Sequence, residues 1–244
     1  MKKVLVTGAI SGIGLASAKL FLEKGYKTIL VDKVTNNTII NELEDIYNEN
    51  VHFIKTDVSL DNEVKNLHKQ VKETCGSIDS LINNAGVITH GLLHETSEDK
   101  WDYVMNNDVK SIYFMSKYFI PDMITNGGGT IVNTASISGL AGDFEMPVYN
   151  AAKGAVVNLT RAMALDYAKF NIRVNSVCPG ATRTNMLNPN NIPKYADVNP
   201  LKRICEPEEI AKVIYFLASE ESSYCNGVNL PATGGLDIQT GQPE

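Results

Sequence analysis

Short runs of aliphatic residues alternate along the chain with longer stretches in which apolar side chains recur every three or four positions. Val4, Leu5 and Val6 form the first run, continuous and β-branched, as in a strand buried on both faces of a parallel sheet. Ile13, Ala16, Leu20 and Leu22 then follow at helical spacing and predict a helix that turns them inward and is capped by Gly25. The alternation continues. A strand over 27–31 precedes a helix marked by Ile39, Ile40, Leu43, Ile46 and Tyr47, and a strand over 51–56 precedes one marked by Val64, Leu67 and Val71. Leu81 and Ile82 mark a fourth strand, and residues 101–125, with Trp101, Val104, Met105, Ile112, Met115 and Phe119, read as one long helix. A fifth strand over 130–135, a helix over 148–170 and a sixth strand over 172–177 come next. Residues 185–200 are rich in Asn and Pro and lack periodicity, as in a lid over a binding site. A last helix starts at Glu206-Pro207, with Pro207 in its first position, and residues 228–230 give a seventh strand. The pattern predicts an α/β fold, a doubly wound seven-stranded parallel sheet with helices on both faces, in one domain over 1–244.

Composition narrows the partners. With 244 residues, 43% of them hydrophobic and 20% charged, the chain is long enough for one sizeable core. A net charge of -6 and no run of Lys or Arg argue against nucleic acid or an anionic membrane surface as partner. Cys75, Cys178, Cys205 and Cys225 show neither disulfide-frame nor metal-ligand spacing, and are expected to be reduced thiols in a cytoplasmic protein. Gly8, Ser11, Gly12 and Gly14 interrupt the apolar run that follows Lys2 and Lys3, against a signal peptide, and no stretch of 18 apolar residues is present.

Candidate chemistry collects at the ends of the strands. Gly8, Ser11, Gly12, Ile13 and Gly14 lie between the first strand and first helix, where glycines allow a pyrophosphate to approach backbone N–H groups at a helix N-terminus. Asp32 ends the second strand, where a carboxylate accepts the ribose hydroxyls and repels a 2′-phosphate; this favours NAD(H) over NADP(H), with the adjacent Lys33 pulling the other way. Asp57 and Val58, after the third strand, are placed beside the adenine, and Asn84, Ala85 and Gly86 follow the fourth. Ser136 ends the fifth, where a hydroxyl can polarise a substrate oxygen. Tyr149 and Lys153 stand four apart on a helix and share a face. An ordinary phenol has a pKa of ~10, and lowering that of Tyr149 by about three units, at ~1.4 kcal/mol per unit, into the range of general acid–base catalysis is within reach of one or two nearby cations such as Lys153. By itself a Tyr-x-x-x-Lys pair is an ordinary surface feature.

The set is more specific than its parts. Thr-Gly-x-x-x-Gly-x-Gly at residues 7–14, Asn-Asn-Ala-Gly at 83–86, Ser136, Tyr149 with Lys153, and Pro-Gly-x-x-x-Thr at 179–184 come in the order and spacing of the short-chain dehydrogenase/reductase family, which the chain resembles from about residue 2 to 235. Within it the chain looks most like NAD-using bacterial alcohol and ketone dehydrogenases. The resemblance implies a single-domain Rossmann fold, proton transfer by Tyr149, a Lys153 that holds the nicotinamide ribose, and a Ser136 that orients the substrate. It also implies cofactor contacts from Asn84, Pro179, Gly180, Thr182 and Thr184, no metal, and a homotetramer. Asp108 stands where the family has a catalytic asparagine, with Asn106 and Asn107 in reach of a register slip; its carboxylate would offset the effect of Lys153 and raise the pH optimum of alcohol oxidation. His90, Ser138, Phe144, Met146 and Met186, with Ser136 and Tyr149, are the expected substrate pocket. The expected activity is NAD(H)-dependent interconversion of a small secondary alcohol and a ketone. A 3-oxoacyl-[acyl-carrier-protein] reductase is the enzymatic alternative, and a nucleotide-binding regulator the non-enzymatic one.

Overall fold

In the computed structural model, residues 1–239 are described. Seven parallel strands, β1 (Lys3–Thr7), β2 (Lys27–Asp32), β3 (Val51–Lys55), β4 (Ser80–Asn83), β5 (Gly129–Thr134), β6 (Ile172–Pro179) and β7 (Asn229–Ala232), pair in the order β3-β2-β1-β4-β5-β6-β7. The order reverses between β1 and β4, which opens a crevice at the carboxyl ends of those two strands. Side chains alternate across the sheet. In β1, Leu5 joins one core with α3 (Asp61–Thr74), α5 (Ser111–Thr125) and α6 (Pro147–Tyr167), while Val4 and Val6 join the other with α1 (Gly12–Glu23), α2 (Asn37–Tyr47) and α8 (Pro207–Ala218). Both faces are therefore covered, which is why the strands read as continuous apolar runs.

Gly25 closes α1 as expected, with φ +78° and its N–H donating to the Leu22 carbonyl at 2.9 Å. The inward face of α1 differs in detail: Ala16, Ala18, Phe21 and Leu22 are buried, whereas Ile13 and Leu20 are only partly covered. Two expectations need correction. The helix over 101–125 is not uniform, because α4 (Glu98–Met105) passes into a π-helical turn, Asn106–Lys110, before α5 begins. One extra residue in that turn displaces the helical register by about 100°, which aims Asp108 at α6 instead of continuing the apolar stripe. The segment over 185–200 is not irregular throughout, since it holds the short helix α7 (Ile192–Val198), in which Pro193 occupies an early position.

Candidate active site

A cleft of about 480 Å³ runs across the carboxyl ends of the strands. At one end it begins with the turn from β1 into α1. Gly8 adopts φ +64°, and a Cβ there would meet Ala85 Cα and Asn84 Nδ2, both at 3.1 Å. Gly14 is tighter still, because a Cβ would lie 2.0 Å from the Gly8 carbonyl oxygen. The turn can fold back against its own helix only without a side chain there. A Gly14→Ala protein is expected to lose about 1–3 kcal/mol of stability, read as a lower midpoint in urea, together with dinucleotide affinity. Ser11 precedes α1 with no side-chain cap, and no acidic residue occupies the first turn, so its N–H groups remain available to an anion.

Asn84 locks this turn to the middle of the sheet. Its backbone N–H and that of Ala85 donate to Thr7 Oγ1 at 2.9 and 3.0 Å, its Nδ2 donates to the Thr7 carbonyl at 3.1 Å, and its Oδ1 accepts from Thr134 Oγ1 at 3.3 Å. Asp32 lines the cleft on the β2 side, its Oδ1 accepting from the Val34 N–H at 3.0 Å and Oδ2 from the Ile10 N–H at 3.3 Å. Lys33 lines the cleft beside it, with its Nζ 5.7 Å from the centroid of the Tyr103 ring. Asp57 and Val58 line the same end, with Asp57 Oδ1 held by Ser59 at 2.6 and 2.9 Å. Together these groups bring the backbone N–H groups at the start of α1 and the carboxylates after β2 and β3 to one end of the cleft.

At the other end stand Ser136, Tyr149 and Lys153. Ser136 follows β5 and its Oγ accepts from the Ser138 N–H at 3.1 Å. Tyr149 and Lys153 lie on the first turns of α6, with Lys153 Nζ 5.5 Å from the phenol ring centroid and donating to the Thr134 carbonyl at 3.0 Å. Lys153 Nζ also sits 3.0 Å from Asp108 Oδ2, in an ion pair whose side chains are 5% and 0% exposed. The approach to that oxygen is off the direction of a good hydrogen bond, while Asp108 Oδ1 accepts squarely from the Val87 N–H at 2.7 Å. Gly86 makes the room, because a Cβ there would press on Asp108 Oδ2 at 3.1 Å and on Lys153 Nζ at 3.3 Å. Asn107 points elsewhere, donating to the Tyr103 carbonyl at 2.8 Å.

These neighbours decide the protonation of the site. Burial disfavours the Lys153 ammonium, but Asp108 and then Tyr149 oppose it, and the lysine ends above its ordinary pKa. For Tyr149, burial is the largest influence and raises the pKa; Lys153 lowers it and Asp108 raises it again, so the phenol ends above its ordinary value. This is opposite in direction to the lowering expected from a neighbouring ammonium. The lysine charge is present, but its own buried counter-ion cancels much of it.

Of the other expected residues, Ile13, Gly12, Ser11, Gly8, Ala85, Gly86, Pro179, Gly180, Thr182 and Thr184 line the cleft. Gly14 supports the turn from behind. Ser138, Met146 and Met186 line the cleft near the catalytic end. His90 and Phe144 do not line it: His90 lies on an exposed loop whose carbonyl accepts from Lys100 Nζ, and Phe144 is 98% exposed. Asn185, Leu187 and Tyr195, from the 185–200 segment expected to be a lid, also line it, as does Asp143, which was not expected. The turn after Ser136 carries no periodic signal from which Asp143 could be placed. Among the described residues, no group of three His, Cys, Asp or Glu side chains is placed to hold a metal ion, and no helix is long and apolar enough to cross a membrane.

A family model described as Enoyl-(acyl carrier protein) reductase matches residues 8–237. The meso-2,3-butanediol dehydrogenase of Serratia marcescens is 43% identical over 100% of this chain and 97% of its own length. Among solved structures, ElxO with NADP bound superposes with a TM-score of 0.92 at 31% identity, covering 98% of this chain and 99% of that one. The 3-ketoacyl-(acyl-carrier-protein) reductase of Brucella melitensis, complexed with NADH, gives a TM-score of 0.90 at 29% identity, covering 97% and 98%. Oxidoreductases therefore surround the chain, which sets the regulator reading aside.

Proposed function

The chain belongs to the short-chain dehydrogenase/reductase family, as an oxidoreductase that interconverts a secondary alcohol and a ketone, and we propose that it does so with NAD(H), through Tyr149 as general acid and base. One observation carries this reading. Ser136, Tyr149 and Lys153 converge at one end of the cleft whose other end is built from the glycine turn and Asp32. A bound nicotinamide supplies the hydride acceptor or donor. The adenosine end would be held by Asp32, Asp57 and Val58, the pyrophosphate by residues 8–14, and the nicotinamide half by Asn84, Lys153 and the 179–184 segment. Ser136 then orients the substrate oxygen, and Tyr149 takes the alcohol proton or returns it. Lys153 bears the positive charge that accompanies a phenolate, and Asp108 fixes that lysine in place. The 185–200 segment, with Met186 and Tyr195, would close over the substrate. Following absorbance at 340 nm with secondary alcohols and each coenzyme tests the reading; no reduction of either coenzyme by any of them would refute it.

Coenzyme choice is the finer claim, since similar proteins carry either form. Asp32 lines the cleft at the end of β2, where its charge would repel a 2′-phosphate, and Lys33 beside it has its Nζ 5.7 Å from the Tyr103 ring centroid. The kcat/KM ratio of NAD over NADP should exceed about a hundredfold, and Asp32→Ala should cut it by about tenfold, because one charge repulsion is removed. A ratio that Asp32→Ala leaves alone would assign the choice to other residues.

Two further proposals concern the assembly and its setting. Trp101, Tyr103, Tyr113 and Leu165 leave apolar surface exposed on α4, α5 and α6, which supports a homotetramer paired through these helices; light scattering should give four times 26.7 kDa. All four cysteines are free thiols, which supports a cytoplasmic setting.

A further inference from the structure

The catalytic end of the cleft holds one charged group with no part in the chemistry so far. Asp143 lies on the turn between β5 and α6 and lines the cavity together with Ser138, Met146 and Tyr149. Its place is set by the catalytic helix itself. Asn150, next in sequence to Tyr149, donates from Nδ2 to the carbonyls of Ser138 and Ala141 at 2.7 and 2.9 Å, and to Asp143 Oδ2 at 3.3 Å. An amide nitrogen carries two hydrogens, so three acceptors cannot all be served. The two short bonds fix the turn, and the long one leaves the Asp143 carboxylate with lone pairs to offer.

The other charged groups of the cleft are accounted for. Asp32, Lys33 and Asp57 stand at the adenosine end, and Asp108 and Lys153 pair with each other. Among the described residues no cation lies within ion-pair distance of Asp143. The same cleft is lined by Met146, Met186 and Leu187, with the uncharged polar side chains of Ser138, Asn185 and Tyr195. Asp143 is solvent-exposed at the cleft, so a ligand seated there replaces water on its carboxylate with a hydrogen-bond donor of its own, whereas one that brings a negative charge is repelled. Its charge also reaches Tyr149, where it adds to the influences that hold the phenolic proton. Asp143 and Tyr149 line the same cleft, and Asn150, next to Tyr149 on α6, reaches the Asp143 carboxylate, which holds it beside the catalytic helix.

We propose that Asp143 sets substrate specificity by accepting a hydrogen bond from a second hydroxyl next to the reacting carbon, so that the enzyme takes uncharged vicinal diols and their hydroxyketones and rejects hydroxy acids. The proposal rests on the secondary-alcohol reading of the site and deepens it. The geometry assigns the reacting hydroxyl to Ser136 and Tyr149 and the neighbouring one to Asp143.

The test compares 2,3-butanediol with 2-butanol, substrates that differ by one hydroxyl, using wild type, Asp143→Asn and Asp143→Ala with saturating coenzyme. Any effect of Asp143 on Tyr149 is common to both alcohols and cancels in the ratio of their kcat/KM values. Wild type should favour the diol by about tenfold or more. Asp143→Ala should bring that ratio down by about tenfold, and Asp143→Asn, which keeps an acceptor oxygen, should fall between. Lactate, an anion, should gain relative to 2-butanol in Asp143→Asn. NADH binding by fluorescence shows that each variant is folded. A diol preference untouched by Asp143→Ala, or a wild type indifferent to the second hydroxyl, overturns the assignment while secondary-alcohol oxidation still stands. Failure to oxidise either alcohol with either coenzyme refutes the reading of the site, and the role of Asp143 with it.

Discussion

A Tyr149→Phe protein is expected to lose about 10²–10⁴-fold in kcat for both alcohol oxidation and ketone reduction, while its affinity for NADH changes little. The substitution removes one oxygen and keeps the ring that packs 5.5 Å from Lys153 Nζ. Lys153 retains its bond to the Thr134 carbonyl and its ion pair with Asp108, and the glycine turn and Asp32 lie at the far end of the cleft. A folded enzyme that binds coenzyme but turns over slowly is thus the expected result. The signature is a fall in kcat larger than any rise in KM, because the proton transfer, not the binding, has lost its group. Turnover within a few-fold of wild type would remove Tyr149 from the mechanism. Loss of coenzyme binding along with activity would show that the residue serves the fold.

The elements that such a test depends on were legible in the sequence for a definite reason. In a sheet buried on both faces a strand is a continuous apolar run, so Val4, Leu5 and Val6 stand out, and the glycines after them are poor helix formers at the very start of α1, which calls for a packing reason. Ser136, Tyr149 and Lys153 are tied to strand ends and to a helix repeat, and they come together as their spacing implies. His90 and Phe144 were misplaced because both belong to irregular turns, where neighbours in sequence can face opposite ways; Asp143 enters the cleft and Phe144 leaves it. The π-helical turn at Asn106–Lys110 has no hydrophobic signature, since it shifts the register inside a stretch that is helical on both sides. The sign of the Tyr149 shift was missed for a related reason. Spacing finds the Lys153 charge, and the resemblance finds the opposing Asp108 carboxylate, but burial of the phenol, the largest influence, depends on how the surrounding elements pack against it.

The sign of that shift has its own consequence, seen most clearly by replacing Asp108. With the Tyr149 proton held by burial and by Asp108, the enzyme is poised to donate a proton, so ketone reduction should run well at neutral pH and alcohol oxidation should rise toward alkaline pH. In Asp108→Asn the influence of the carboxylate on the phenol is gone, and the acid limb of the oxidation profile should move down by about one pH unit, which corresponds to ~1.4 kcal/mol. The cost falls on Lys153. Its ammonium would stay buried with only the Thr134 carbonyl and a neutral amide beside it, and stripping a buried ion pair of one partner destabilises by about 3–5 kcal/mol. Linkage gives this loss a pH dependence of known sign. The folded-state pKa of Lys153 is raised, so the stability it contributes is fully present below its unfolded value near 10.5 and disappears as pH rises through the folded value. The stability gap between wild type and Asp108→Asn should thus be full at pH 7 and narrow above about pH 10.5, as urea midpoints across that range would reveal. Coincident oxidation profiles would make Asp108 electrostatically silent at Tyr149, and a stability gap that does not change with pH would attribute the loss to the Val87 hydrogen bond instead of the ion pair.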